Sequence, residues 1–526
     1  MRHVAGFGVF AAALLAAAGG VAAKEFRFST SGDILTMDPH SQNEGPTNAM
    51  KSNIYEGLVE RKWDLSVQPA LATAWSQPNP TTWRFTLRQG VKFHDGSPFT
   101  ADDVVFSFKR NTHKNSDMKN YLSTVEDVRK VDDFTVDYIT KGPDPILVQN
   151  LTLHFIMSKA WTEKNKTETP VLGSTDETYA TRNTNGTGPF RLTERVADTR
   201  TTLEPYAGWW GRAEHNLTKA TFRPIANPAT RVSALLSGEI DMTFPVPLQD
   251  VPRVNAAPGV KVLEGPELRT IFLGFDQWRN ESLDMKGTGK NPFKDVRVRK
   301  AFYQAIDMEA IKRVVMRNAS TPTGHMIAPG IQGFDAETNK RAGYDPDAAR
   351  KLLAEAGYPN GFPVTLDCPN DRYVNDEAIC QAVVPMLSRI GIQIKLNAQT
   401  KGKHFDKIGK KEDNNTSFYM LGWTPGTYDG HNALVNLISM RGQDVGSWNS
   451  GRYTNPKVED LTQSIAIELD AKKRNDMMRE AFTIHKNDFG HLPLHQQALA
   501  WGVRDSVADI KQAANDAVYL RYTRMK

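Results

Sequence analysis

The stretch that most limits what this chain can fold into is TWRFTLRQGVKFHDGSPFTADDVVFSFKR, residues 82–110, because its hydrophobic period changes within one segment. Trp83, Phe85 and Leu87 alternate with Arg84, Thr86 and Arg88, the period-two pattern of a half-buried strand. Gly90 interrupts it, and VKF at 91–93 reads as a resumed extended run. His94, Asp95 and Gly96 follow as a polar turn, with Asp-Gly supplying the tight-turn chemistry. Thr100 stands three residues before Asp103, a capping-box start, and Asp102 and Asp103 suit the electropositive first turn of a helix. Val104, Val105, Phe106 and Phe108 give that helix its apolar face. A histidine, three aspartates and a serine in close order invite a catalytic reading. Each of them has a structural task instead, and the neighbours His94 and Asp95 point apart in a turn.

The same logic recurs in the C-terminal half. In YDPDAARKLLAEAGY, Asp345 reads as an N-cap, Pro346 as the first helical residue and Gly357 as terminator, with Ala349, Leu352, Leu353 and Ala356 inward. FPVTLDC reads as a strand. NDEAICQAVVPMLSRIG reads as a helix with Ile379, Val383, Leu387 and Ile390 inward and a kink at Pro385, and IQIKL as another strand. This β-α-β succession implies an α/β domain. The N-terminal third is richer in strands and turns, and NESLDMKGTGKNP, residues 280–292, reads as a surface loop.

With 526 residues the chain is long for one folded unit. Its first residues differ from the rest. Arg2 precedes an apolar run from Val4 to Ala18, and Val21 and Ala23 stand at cleavage-site positions before Lys24. Residues 1–23 therefore read as a secretory signal peptide. The run falls short of the roughly 20 residues that span a bilayer, and no cysteine near the cleavage point is present to take a lipid. The formal net charge of +5 is spread along the chain without a basic block, which excludes a nucleic-acid footprint. The two cysteines, Cys368 and Cys380, lie in the exported part, where a disulfide is the expected state.

Motifs that would carry catalysis or cofactor binding fail on inspection. GTGK at 287–290 lacks the earlier glycine and the following Ser or Thr of a phosphate loop, and NGTGPF at 185–190 reads as a turn. There is no helical His-Glu-x-x-His and no Gly-x-Ser-x-Gly elbow. Among His485, His491 and His495, Pro493 sits between the last two, which speaks against one shared helical face, so the three read as ordinary surface or hinge histidines rather than metal ligands. No metal, cofactor or catalytic residue is expected.

The segment LATAWSQPNPTTWRFTLRQGVKFHDGSPFTADDVVFSF resembles the signature of the large extracytoplasmic solute-binding proteins of ABC importers, family 5, which includes dipeptide-, oligopeptide-, glutathione- and nickel-binding proteins. GTGPFRL, RPIANPATRVSALLSGEIDM, NPFKDVRVRKAFYQAID, YDPDAARKLLAEAGY and MLGWTPGTYDG continue the resemblance in order. It implies a bilobed α/β periplasmic-binding-protein fold with an extra small domain and the ligand enclosed between lobes. Domain I would be discontinuous (24–60, 180–270 and 495–526), domain II would be the small one (61–179) and domain III the α/β one (271–494). The resemblance also implies a monomer that binds a peptide or peptide-like solute and delivers it to membrane permease subunits, without catalysis. Another solute, such as an opine, a metal chelate or a sugar, is the alternative within that class; a secreted hydrolase is the alternative outside it.

Peptide-binding relatives hold the ligand carboxylate with an arginine on a domain III loop, and here the matching loop, CPNDRYVNDEAIC, supplies Arg372. A guanidinium fork suits a carboxylate bidentately. A Cys368–Cys380 disulfide would preorganise that loop. The relatives hold the ligand amine with an aspartate three residues after a tryptophan. Three after Trp423 this chain has Gly426, so Asp429 is the substitute candidate, and a simple free-amine dipeptide is disfavoured. Trp423 and Tyr428 are expected to wall the ligand, and Asn43, Glu44 and Gly45 match a pocket-lining segment of domain I.

Overall fold

Two long antiparallel strands set the architecture. Val260–Phe275 and His491–Arg504 run side by side from the pair Val260/Arg504 to the pair Gly274/His491. The computed structural model describes residues 24–171, 177–409, 415–442 and 445–526; the expected signal peptide lies outside them. At one end the long pair joins Met242–Thr243 and, through it, Glu25–Ser29, Lys219–Phe222, Arg200–Pro205 and Phe190–Val196. At the other end it joins Phe418–Trp423, then Pro363–Pro369 and Gln393–Gln399. A single mixed sheet thus passes through both halves of the molecule. Between Pro266 and Thr270 the ladder is broken, and the Leu268 N–H bonds instead to the carbonyl of Ala514 at 3.0 Å. The expected boundaries after 270 and before 495 fall inside these two continuous strands.

The strand–turn–helix reading of residues 82–110 gives a separate four-stranded antiparallel sheet, in the order Ala72–Asn79, Thr82–Leu87, Thr135–Thr140, Val125–Asp132. Phe85, Leu87, Phe93, Phe99, Val104 and Phe108 form its core with the helix Ala101–Asn111. The Asp103 carboxylate accepts from the Thr100 N–H at 2.9 Å, as a capping box requires. VKF is not a strand: the Phe93 N–H bonds to Ser97 and that of His94 to Gly186, so their hydrogen bonds close a turn and a docking contact rather than a ladder. Gly186 is needed at that contact, since a Cβ there would lie 2.0 Å from the Ile54 carbonyl oxygen.

The β-α-β reading of the C-terminal half agrees with the structure. Asp345 caps the helix Pro346–Glu355, accepting from Ala348 at 2.9 Å. Ile379, Val383, Leu387 and Ile390 are buried, and Pro385 sits near the end of the helix Asp376–Ser388. The histidines expected at the surface or hinge are buried instead. His491 and His495 lie on a strand covered on both faces, and His485 Nε2 comes 2.9 Å from His491 Nδ1.

Cys368 and Cys380 form a disulfide with Cα atoms 6.6 Å apart, tying the strand Pro363–Pro369 to the helix Asp376–Ser388. Chain-entropy arguments give such a short loop about 3 kcal/mol of stabilisation. Reduction is expected to lower the urea midpoint by that equivalent, measured with and without a thiol reductant; an unchanged midpoint would show that the surrounding core already fixes the loop.

Candidate functional site

The loop bracketed by the disulfide is shaped by one carboxylate. Asp376 accepts the N–H groups of Arg372 and Tyr373, both at 2.9 Å, and the Tyr373 hydroxyl oxygen accepts from the Gly422 N–H of the next strand at 2.9 Å. Arg372 is thereby held at the mouth of a cavity of about 550 Å³. Its guanidinium lies 5.1 Å from the Tyr373 ring centre.

One aromatic wall comes from the strand Phe418–Trp423 and the segment after it. Trp423 donates its indole N–H to Asn432 at 3.0 Å and lies 6.5 Å from Trp448, and both line the cavity. The opposite wall is the helix Gly45–Lys51 with the segment through Arg61. Glu267 and Arg269 enter from the ladder break, paired with each other at 3.2 Å. The last part of the chain contributes Asn515, Tyr519 and Arg521.

The acids of the cavity are already committed. Glu60 takes Arg521 at 2.7 and 3.0 Å. Glu267 takes Arg269 and Gln497. Buried Glu56 takes the indole N–H groups of Trp209 and Trp210 at 3.0 and 2.9 Å and the Thr187 hydroxyl at 2.8 Å. Burial pushes the Glu56 carboxyl up to about 7, against the opposing pull of those donors. Arginine therefore dominates the charge that the cavity presents.

Of the residues singled out from sequence, Arg372, Trp423, Tyr428, Asn43 and Gly45 line the cavity. Glu44 does not: its carboxylate caps the helix Gly45–Lys51, accepting from the Thr47 N–H at 2.9 Å and hydroxyl at 2.7 Å. Asp429 does not either. It is fully buried, both its oxygens are held by Arg474 at 2.6 and 2.8 Å, and it caps the turn at Gly430–Ala433. Gly426 faces the cavity, where a Cβ would lie 3.1 Å from the Tyr121 hydroxyl. Sequence reasoning missed Asp376, Glu56, Arg61, Glu267 and Arg269, and the terminal Asn515–Arg521 segment.

The family model for bacterial extracellular solute-binding proteins, family 5, matches residues 66–444. A curated relative, the glutathione-binding protein GsiB of Salmonella typhi, is 26% identical over 495 residues, covering 92% of this chain and 91% of its own length. Among solved structures, the periplasmic binding protein DppA of Helicobacter pylori, in complex with the peptide STSA, is 25% identical with a TM-score of 0.73, over 95% of this chain and 96% of that one. The substrate-binding protein CtaP of Listeria monocytogenes is 20% identical with a TM-score of 0.82, over 96% and 99%. A two-lobed mixed α/β fold with a cleft between its halves agrees with these neighbours, and the chain belongs to the family 5 extracellular solute-binding proteins of bacteria.

Proposed function

We propose that this protein is the periplasmic substrate-binding component of an ABC importer, exported by residues 1–23, and that it hands a peptide or peptide-like solute to permease subunits. The observation that carries the reading is the cavity between the two halves, with Arg372 held at its mouth by a disulfide-bracketed loop and aromatic rings along its wall. The pairings of the relatives with glutathione and with a peptide support the same ligand class. Domain I (24–60, 180–270, 495–526) and domain III (271–494) close on the ligand by rotation near the ladder break, with domain II (61–179) attached to the first. The molecule acts as a monomer and turns nothing over.

With Gly426 at the position where an aspartate would meet an amine, and Asp429 committed to Arg474, the best ligands have an amine that is modified, distant or absent. An opine-like conjugate is therefore the second reading. The test is native mass spectrometry of the exported protein, followed by identification of what denaturation releases and a thermal-shift screen of free acids against their amides. A bound ligand at 100 times its Kd adds about 2.7 kcal/mol of stability. Arg372→Ala should weaken a free acid by about 2–5 kcal/mol, the range for truncating one partner of a buried charge pair, and leave the amide nearly unchanged. Equal losses for both, or chemical turnover of the ligand, would overturn the reading.

A further inference from the structure

Arg61 lines the cavity with part of its guanidinium buried and unpartnered. Its Nη1 donates to the Leu65 carbonyl at 2.8 Å, and its guanidinium carbon lies 4.1 Å above the centre of the Tyr428 ring. Its Nε and Nη2 are shielded from solvent and have no hydrogen-bond partner among the described residues, and no carboxylate there pairs with it. The adjacent carboxylate, Glu60, is taken by Arg521 and Gln68. Arg521, on the same cavity wall, also leaves its Nε without a partner.

A buried guanidinium that lacks an anion is costly, because desolvation is neither repaid by attraction nor by hydrogen bonds. The ring of Tyr428 returns only part of that cost. Nε and Nη2 form one edge of the guanidinium fork, the edge that binds a carboxylate through two parallel bonds. Tyr519 and Asn515 stand near it, with Asn515 donating to the Tyr428 and Tyr519 hydroxyls at 3.2 and 3.1 Å, so the groups around the guanidinium are neutral and polar and none of them is its counter-ion.

We propose that the ligand carries two anionic groups, one met by Arg372 and the second, a carboxylate within the body of the ligand, met by the Nε–Nη2 edge of Arg61 beside Arg521. This inference rests on the peptide reading above and narrows it to acidic peptides and dicarboxylate conjugates. The two arginines divide the work. Arg372 recognises a group that every free acid has, and Arg61 selects among them.

The test is isothermal titration of the mature protein with three tripeptides that carry glutamate at the first, second or third position among alanines, each against its glutamine counterpart, together with glutathione and its glycyl ethyl ester. At least one glutamate member is expected to bind ten times or more tighter than its glutamine counterpart. Arg61→Gln should reduce that ratio to within about twofold, whereas Arg372→Gln should weaken both members alike and keep the ratio. Arg61→Lys, which keeps the charge but not the fork, should restore part of the preference and controls for folding together with the thermal midpoint of each variant. Absence of any acidic preference in the wild type, or a preference that survives Arg61→Gln, overturns this inference and leaves the peptide reading standing. Failure of every peptide and of glutathione to bind overturns the peptide reading and the inference with it.

Discussion

Replacing Asp429 with alanine is expected to destabilise the protein by about 3–5 kcal/mol, the range for breaking one side of a buried ion pair. Asp429 and Arg474 are both nearly inaccessible to solvent, and two bonds of 2.6 and 2.8 Å join them. Arg474 would keep only its Nε bond to the Ile465 carbonyl and remain a buried charge without a counter-ion. The lost cap at His431, where the N–H reaches the carboxylate at 2.9 Å, adds to the effect. Urea denaturation measures it directly. A double variant, Asp429→Leu with Arg474→Met, should recover most of the stability, because apolar replacement of a whole buried pair is often neutral. Preference between a free amine and its acetylated form should not change. A variant of normal stability that loses that preference would instead place Asp429 against the ligand.

Acid lability is the second large effect. Burial holds His154, His325, His491 and His495 each down to about 3, and holds His40 and His485 well below the ordinary imidazole value. These groups are neutral in the folded state, while the unfolded chain protonates them near 6.5. Below that value the unfolded state binds more protons, so stability falls as pH falls, by about 1.4 kcal/mol per pH unit for each group. The four histidines held to about 3 together give a slope of about 5 kcal/mol per unit from pH 6 downward. Glu56, raised to about 7, and Asp516, raised to about 8, both by burial, work in the opposite direction between their unfolded values and those, but they are two groups against four and bring the net slope to about 3 kcal/mol per unit. Asp38, lowered to about 2 chiefly by Arg110 against its own desolvation, adds a further loss only below its unfolded value of 3.8. Much of the total stability of a typical protein, about 5–15 kcal/mol, should be lost before pH 4. Urea midpoints at pH 7, 6, 5 and 4.5 would show it, and a flat profile across that range would refute it.

The local elements were legible where their hydrogen bonds and apolar faces are local. The Thr100/Asp103 box, the Asp345–Pro346 helix start and the four inward positions of the helix Asp376–Ser388 all follow from spacing alone. Failures occurred where partners are distant in sequence. His491 and His495 are buried because a strand joins them to Val260–Phe275, more than two hundred residues earlier, and their own neighbours give no sign of it. Asp429 looked available because its partner, Arg474, lies 45 residues on. The cavity shows both cases. Arg372, Trp423 and Tyr428 were reachable through the family pattern, whereas Arg61, Glu267 and Arg521 meet only once the chain ends have been folded back between the two halves.

The gap in the ladder at Pro266–Thr270 bears on how faithfully the molecule reports its load. In the closure proposed above, a pivot there has no sheet bonds to give up, so opening and closing would differ little in backbone energy. The balance then passes to what the two halves bring face to face. Arg521 and Arg269 bring their own carboxylates, Glu60 and Glu267, so the cations without one are Arg61 from one side and Arg372 from the other. Shutting an empty molecule presses these cations together in a medium that screens them poorly. An anionic cargo reverses the sign of that term. In the importer proposed above, that repulsion would keep the empty protein open and so withhold the shut form from the permease until cargo is aboard.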